Sequence, residues 1–88
     1  MTNDEALAEI KRIAVIINRV QPNRHALLRM EERGAVLADV RNALLTATGA
    51  FWQVEHGSWK VIGGVDLDGD GLDVALEFTA DLLVRTVF

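Results

Sequence analysis

Apolar residues recur with a helical period over the first half of the chain and alternate over much of the second, which predicts helices followed by strands. Ala6, Leu7, Ile10, Ile13, Ile17 and Val20 share one face and predict a first helix over residues 3–20. Thr2 or Asn3 is placed to cap it, and Asp4 and Glu5 lie in the first turn, where the helix dipole favours negative charge. Ala14, Val15 and Ile16 widen the apolar face, so this helix is expected to make apolar contacts on more than one side. Gln21-Pro22 ends it, because the residue before a proline is steered away from helical backbone. Asn23 is placed to cap a second helix over residues 23–33, and Gly34 stands where a left-handed residue closes a helix. A third helix over residues 36–47 carries Leu37, Val40, Leu44 and Ala47 on one face, and Gly49 follows it.

Residues 51–56, 59–65, 72–78 and 82–87 are rich in β-branched and aromatic side chains and are separated by short turns, so they predict four strands. Turns of that length join antiparallel neighbours. Leu72, Val74, Leu76 and Phe78 alternate with Asp73, Ala75, Glu77 and Thr79, which buries one face and leaves the other largely wet. On the last strand Leu82, Val84, Thr86 and Phe88 share a side, with Thr86 as its polar exception, and Leu83, Arg85 and Val87 share the other. The expected fold class is α+β, with about three N-terminal helices packed on one face of a four-stranded antiparallel meander sheet.

Half of the 88 residues are hydrophobic and a quarter charged, so the chain can bury one core but not two. The absence of cysteine excludes disulfides, thiolate metal sites and cysteine nucleophiles together. The opening Met1-Thr2-Asn3-Asp4-Glu5 has neither a basic region nor an apolar run, and no stretch reaches the length of a membrane span, so the expected location is cytoplasmic and away from membranes. A net charge of −4 argues against nonspecific nucleic-acid binding, which draws on lysine and arginine. Any nucleic-acid function must rest on a local basic site.

One such site is offered by His25, Arg29 and Arg33, which recur every fourth residue and form a stripe along the second helix. The stripe borders the apolar strip of Ala26, Leu27 and Met30, which places it at the edge of the core. Like charges at this spacing weaken an isolated helix, so something acidic is expected to meet them, either a phosphate or a carboxylate of the protein such as Glu32. Asp66-Leu67-Asp68-Gly69-Asp70-Gly71, with Glu77 further on, satisfies the EF-hand calcium-loop expression. Helices must flank such a loop, whereas strands are predicted here, so the segment reads as a hairpin turn; a weak surface calcium site on Asp66, Asp68 and Asp70 is the alternative. His56 reads as an exposed turn residue, and Trp52 and Trp59 read as core. Lys60 projects either toward the basic helix or into solvent, depending on strand register. Gly63-Gly64 is not a phosphate loop, since no helix follows it.

His25-Ala26-x-x-Arg29-Met30-x-x-Arg33-Gly34, then Asp39-Val40, Ala43-Leu44, Trp59-Lys60-Val61-Ile62-Gly63, Asp68-Gly69 and the closing Thr86-Val87-Phe88, resemble a family of small bacterial domains of unknown function. Its members share an H-A-x-x-R-x-x-x-R-G helix, a K-V-x-G strand and a T-V-[FY] ending. That family is similar to the RelE and BrnT toxins and is grouped with the barnase, EndoU, colicin and RelE ribonuclease folds. The resemblance covers about residues 22–88 as a toxin-fold domain and leaves residues 1–21 as an N-terminal helical extension suited to interaction. It implies a metal-independent endoribonuclease of a toxin–antitoxin system, with RNA and a cognate antitoxin as partners and no cofactor or metal. In that chemistry the ribose 2′-hydroxyl attacks its own phosphodiester and leaves a cyclic phosphate. The resemblance implies His25 for proton transfer, Arg29, Arg33 and Lys60 for the charge of the transition state, and Thr86 for a hydrogen bond to a phosphate oxygen.

The alternative class is a non-catalytic protein-binding domain, immunity-like, antitoxin-like or a degenerate toxin fold. Acidic charge and a long apolar first helix favour it, and that helix predicts a homo-oligomer. The two classes differ in whether the basic stripe stays open to a phosphate or is filled by carboxylates or a partner.

Overall fold

The computed structural model describes residues 1–88 as an α+β fold of three α-helices and a five-stranded mixed sheet. In chain order the elements are α1 (Asn3–Ala14), β1 (Val20–Pro22), α2 (Arg24–Arg33), α3 (Leu37–Thr46), β2 (Gly49–Gln53), β3 (Ser58–Ile62), β4 (Val74–Phe78) and β5 (Leu82–Val87). The sheet order is β1-β5-β4-β3-β2, and β2 to β5 form the expected antiparallel meander. The fifth strand corrects the four-stranded expectation: β1 pairs in parallel with β5, Val20 opposite Leu82 and Pro22 opposite Val84. Pro22 is tolerated because β1 is an edge strand, where a missing N–H costs little.

The first helix is shorter than its apolar repeat suggests. α1 ends at Ala14, a 3₁₀ turn covers Ile17–Arg19, and the chain then enters β1. The run Val15-Ile16-Ile17 is β-branched and loses side-chain freedom in a helix. Arg41 on α3 then takes up the carbonyls of Ala14 and Val15, at 3.0 and 2.8 Å, which are acceptors that a helix end leaves unpaired. Ala6, Ile10, Ile13 and Ala14 are buried in the common core, whereas Val15 and Ile16, expected to give the helix a second apolar side, lie beyond its end and are more than half exposed. Thr2 caps α1 through a reciprocal capping box with Glu5.

α1 packs against α3, and α2 lies along the half of β5 that β1 leaves unpaired. Helix placement therefore differs in detail from three helices on one face. The junction is direct: the Asn23 N–H donates to the Val84 carbonyl at 2.9 Å, continuing the β1 ladder, while the Asn23 side chain accepts from the Ala26 N–H at 2.8 Å and starts α2. Gly34 ends α2 in the left-handed conformation, φ 66°. Ala26 and Met30 face the core, but Leu27, expected beside them, is 52% exposed. No helix is long and apolar enough to cross a membrane.

The core side of the sheet is made by Trp59, Val61, Val74, Leu76, Leu82, Val84 and Val87, all buried. A bulge between Ala75 and Leu76 in the register with β5 pairs Ala75 with Thr86 and Leu76 with Val84, so Arg85 has no partner. The bulge corrects the expected alternation of the last strand. Val87 turns into the core, and Thr86 joins Lys60 and Ala75 in one row across the opposite face.

Two turns also differ from expectation. β2 ends at Gln53, so residues 54–57 form a turn in which the N–H groups of His56 and Gly57 both donate to the Gln53 carbonyl, and Gly57 is left-handed. β3 ends at Ile62, just before Gly63 and Gly64. A side chain on Gly64 would begin 1.8 Å from the Ala43 carbonyl oxygen, so glycine permits α3 to approach. Beyond it, Asp66 closes the aspartate-rich turn by accepting the N–H groups of Asp68 and Asp70 on one oxygen, both at 2.9 Å.

Candidate functional site

The face of the sheet away from the core holds a cavity of about 330 Å3, lined by ten residues from four regions of the fold. Its floor is the row of Lys60, Ala75 and Thr86, paired across β3, β4 and β5. Ala75 is small enough to leave a depression between its longer neighbours. Asn23 and His25 approach from the start of α2, and Gln53, His56 and Ser58 from the β2–β3 hairpin. Arg85 and Phe88 complete it from β5 and the residue after it.

No carboxylate side chain lines this cavity, although the chain carries thirteen acidic residues and a net charge of −4. Its charged and titratable groups are Lys60, Arg85 and two imidazoles. Lys60 Nζ rests 4.5 Å from the centre of the Phe88 ring, a contact that holds an ammonium without neutralising it. Arg85 donates to the His56 carbonyl at 2.6 Å and lies 3.7 Å from the Glu77 carboxylate, so it is the cation with an acidic partner. The Thr86 hydroxyl reaches only the Val87 carbonyl, at 3.3 Å. Oxygen and nitrogen donors thus surround a space where positive charge prevails, which suits an oxyanion such as a phosphodiester.

Of the residues singled out in the sequence, His25, Lys60 and Thr86 come together in this cavity, and Arg29 and Arg33 do not line it. The stripe leads away from it along α2. Arg29 donates to the Val87 carbonyl and to Glu32, each at 3.4 Å, and Arg33 donates to the Gly71 carbonyl at 3.3 Å. The acidic partner expected for the stripe is therefore in part Glu32, while His25 remains at the open end. Register settles Lys60, which faces the cavity. Trp59 is buried as expected, but Trp52 packs edge-on against it, centroids 5.5 Å apart, and stays 47% exposed.

Among the other lining residues, His56 and Arg85 carry titratable or charged groups that the sequence did not place in a site. The turn placement of His56 was legible, but the bond that its carbonyl accepts from Arg85 on β5 was not. Perturbed carboxyls lie elsewhere: the N–H groups of Val36 and Leu67 hold the Asp39 carboxyl below its ordinary range, and the Thr2 cap does the same for Glu5. Nowhere do three His, Asp or Glu side chains gather in a group that could hold a metal ion, the aspartate-rich turn included. Comparison of the chain with protein-family models, curated proteins and solved structures gives no match.

Proposed function

We propose that this cavity binds the backbone of single-stranded RNA and cleaves it without a metal, in the manner of the RelE- and BrnT-like toxins that the sequence resembles. The observation that carries the reading is a concave site with two imidazoles, a lysine, an arginine and a threonine, and no acidic side chain, in an acidic chain. Its volume of about 330 Å3 lies at the small end of ligand sites, the scale of one nucleotide step rather than a duplex. The 2′-hydroxyl oxygen attacks the adjacent phosphorus and the 5′-oxygen departs, leaving a 2′,3′-cyclic phosphate and a 5′-hydroxyl. His25 takes part in the proton transfers, Lys60 meets the negative charge that builds on the phosphoryl oxygens, and Thr86 donates to one of them. Arg29 and Arg33 continue the positive track along α2 and hold the strand beyond the scissile step. Incubation of the purified chain with a mixed RNA pool in EDTA tests this reading: cleavage to cyclic-phosphate ends supports it, and intact RNA refutes it.

A protein-binding role draws on a different observation. β2 is an edge strand, and Phe51 on one of its faces, Trp52 on the other and Val54 just beyond it are exposed. An uncovered apolar edge invites a partner strand, as an antitoxin or a second copy of the chain would supply. A chain that leaves RNA intact and does not slow bacterial growth on induction, yet forms a defined dimer by light scattering, would favour that role.

A further inference from the structure

Cleavage by the 2′-hydroxyl moves two protons: one leaves that hydroxyl as its oxygen bonds to phosphorus, and one reaches the departing 5′-oxygen. An imidazole acts as base only when unprotonated and as acid only when protonated, so one histidine cannot serve both transfers in the same step. We propose that His56 is the second proton-transfer residue of the cavity, and that Arg85 is the positioning residue that holds it there. The inference rests on the ribonuclease reading of the site. One imidazole accepts the proton of the 2′-hydroxyl, the other gives its proton to the 5′-oxygen, and solvent restores both.

The geometry supports the pairing from both sides. His25 enters from the start of α2 and His56 from the β2–β3 turn, and both line one small cavity whose floor carries Lys60 and Thr86. A residue in an exposed turn is ordinarily mobile, but His56 is tied at both ends of its peptide backbone. Its N–H donates to the Gln53 carbonyl at 3.1 Å, and its carbonyl accepts from Arg85 at 2.6 Å. Gly57 closes the turn in a left-handed conformation, φ 61°. Arg85 reaches the His56 carbonyl from β5, on the face opposite the buried Val84, and Glu77 steadies its guanidinium from β4. The charged and titratable groups around His56 are Lys60 from β3, Arg85 from β5 with its partner Glu77 on β4, His25 from α2 and the chain neighbour Glu55. The cations among them attract the phosphate to the space between the two imidazoles.

The test is the pH dependence of RNA cleavage by the full chain and three variants. Wild type should give a bell-shaped profile. His56→Gln should lose about 10²–10⁴-fold in rate and one limb of the bell. Arg85→Ala should lose kcat more than it raises KM, and Arg85→Lys, which restores a donor and a charge, should recover part of the rate. A second measurement needs no variant: adding a nucleoside 3′-monophosphate to wild type should shift the imidazole proton resonances of both histidines. Cleavage by wild type with an unchanged bell in His56→Gln, or a resonance shift at His25 alone, overturns the assignment of His56 and leaves the ribonuclease reading standing. Absence of cleavage by wild type removes that reading and the inference with it.

Discussion

Lys60 Nζ stands 4.5 Å from the centre of the Phe88 ring, so the cavity holds its ammonium group against an aromatic face rather than an acidic side chain. Such a contact is worth about 0.5–1 kcal/mol where water has access, enough to orient the group without consuming its charge. Lys60→Ala is expected to lower kcat/KM for RNA by about 10²–10³-fold, the usual cost of one transition-state donor. Phe88→Leu keeps the charge and loses only the ring, so it should cost a few-fold, mostly in KM. Steady-state kinetics on a short single-stranded RNA separate the two effects.

Gly64, just beyond β3, lies directly against α3. A methyl group there would meet the Ala43 carbonyl oxygen at 1.8 Å, and both partners are backbone, so the clash is relieved only by shifting the helix. Gly64→Ala should therefore destabilise by about 1–3 kcal/mol or more. For a domain of this size each kcal/mol lowers the melting temperature by about 4–8 °C. Gly71→Ala, where a side chain meets nothing within 4 Å, is the control, and thermal melts of both variants check the contrast.

Asp39 couples α3 to the turn that follows β3, accepting the N–H groups of Val36 at 2.9 Å and Leu67 at 3.1 Å. Those bonds hold its carboxyl below the ordinary value of about 3.9, so it stabilises the fold above that pH and the contribution fades as acid titrates the folded form. Asp39→Asn should melt below wild type at pH 7. The two melting temperatures should converge as the pH falls through the lowered pKa of the folded form, below which the wild-type carboxyl is neutral as well. A constant gap across that range would mean that charge is not the cause.

The aspartate-rich turn is built by its own backbone. One Asp66 oxygen accepts from both Asp68 and Asp70, the Asp66 N–H donates to the Asp70 carbonyl at 2.8 Å, and Gly69 takes φ 87°. Melts in millimolar calcium and in chelator should coincide. A rise of several degrees with calcium would contradict this, since a ligand that binds only the folded state must stabilise it.

The parts of this fold that depend on local chemistry were legible in the sequence, and those that depend on distant pairing were not. Asn23 and Gly34 announce both ends of α2 and so placed His25 at its start. Val20–Pro22 carries no such signal: a three-residue parallel strand has no turn to mark it, and its partners Leu82 to Val84 lie at the far end of the chain. Thr86 stood out in the sequence as a polar break in an apolar face, but it does not lie on that face. Leu82, Val84, Thr86 and Phe88 read as unbroken alternation, and only pairing with β4 reveals the bulge that rotates Thr86 to the open face and Val87 to the core. The bond from Arg85 to the His56 carbonyl joins two stretches far apart in the chain, so that half of the cavity was invisible until the sheet was assembled.

The most direct test of the central claim compares wild type with His25→Ala on one RNA oligonucleotide and on its all-deoxy counterpart, in EDTA, with the product ends identified. The account predicts that wild type cuts the RNA to 2′,3′-cyclic-phosphate ends and leaves the deoxy strand whole, because the attacking hydroxyl is missing there. It predicts that His25→Ala is slower by about 10²–10⁴-fold while melting at a temperature close to that of wild type. Uncut RNA with wild type, equal cutting of the deoxy strand, or full activity in His25→Ala would contradict it.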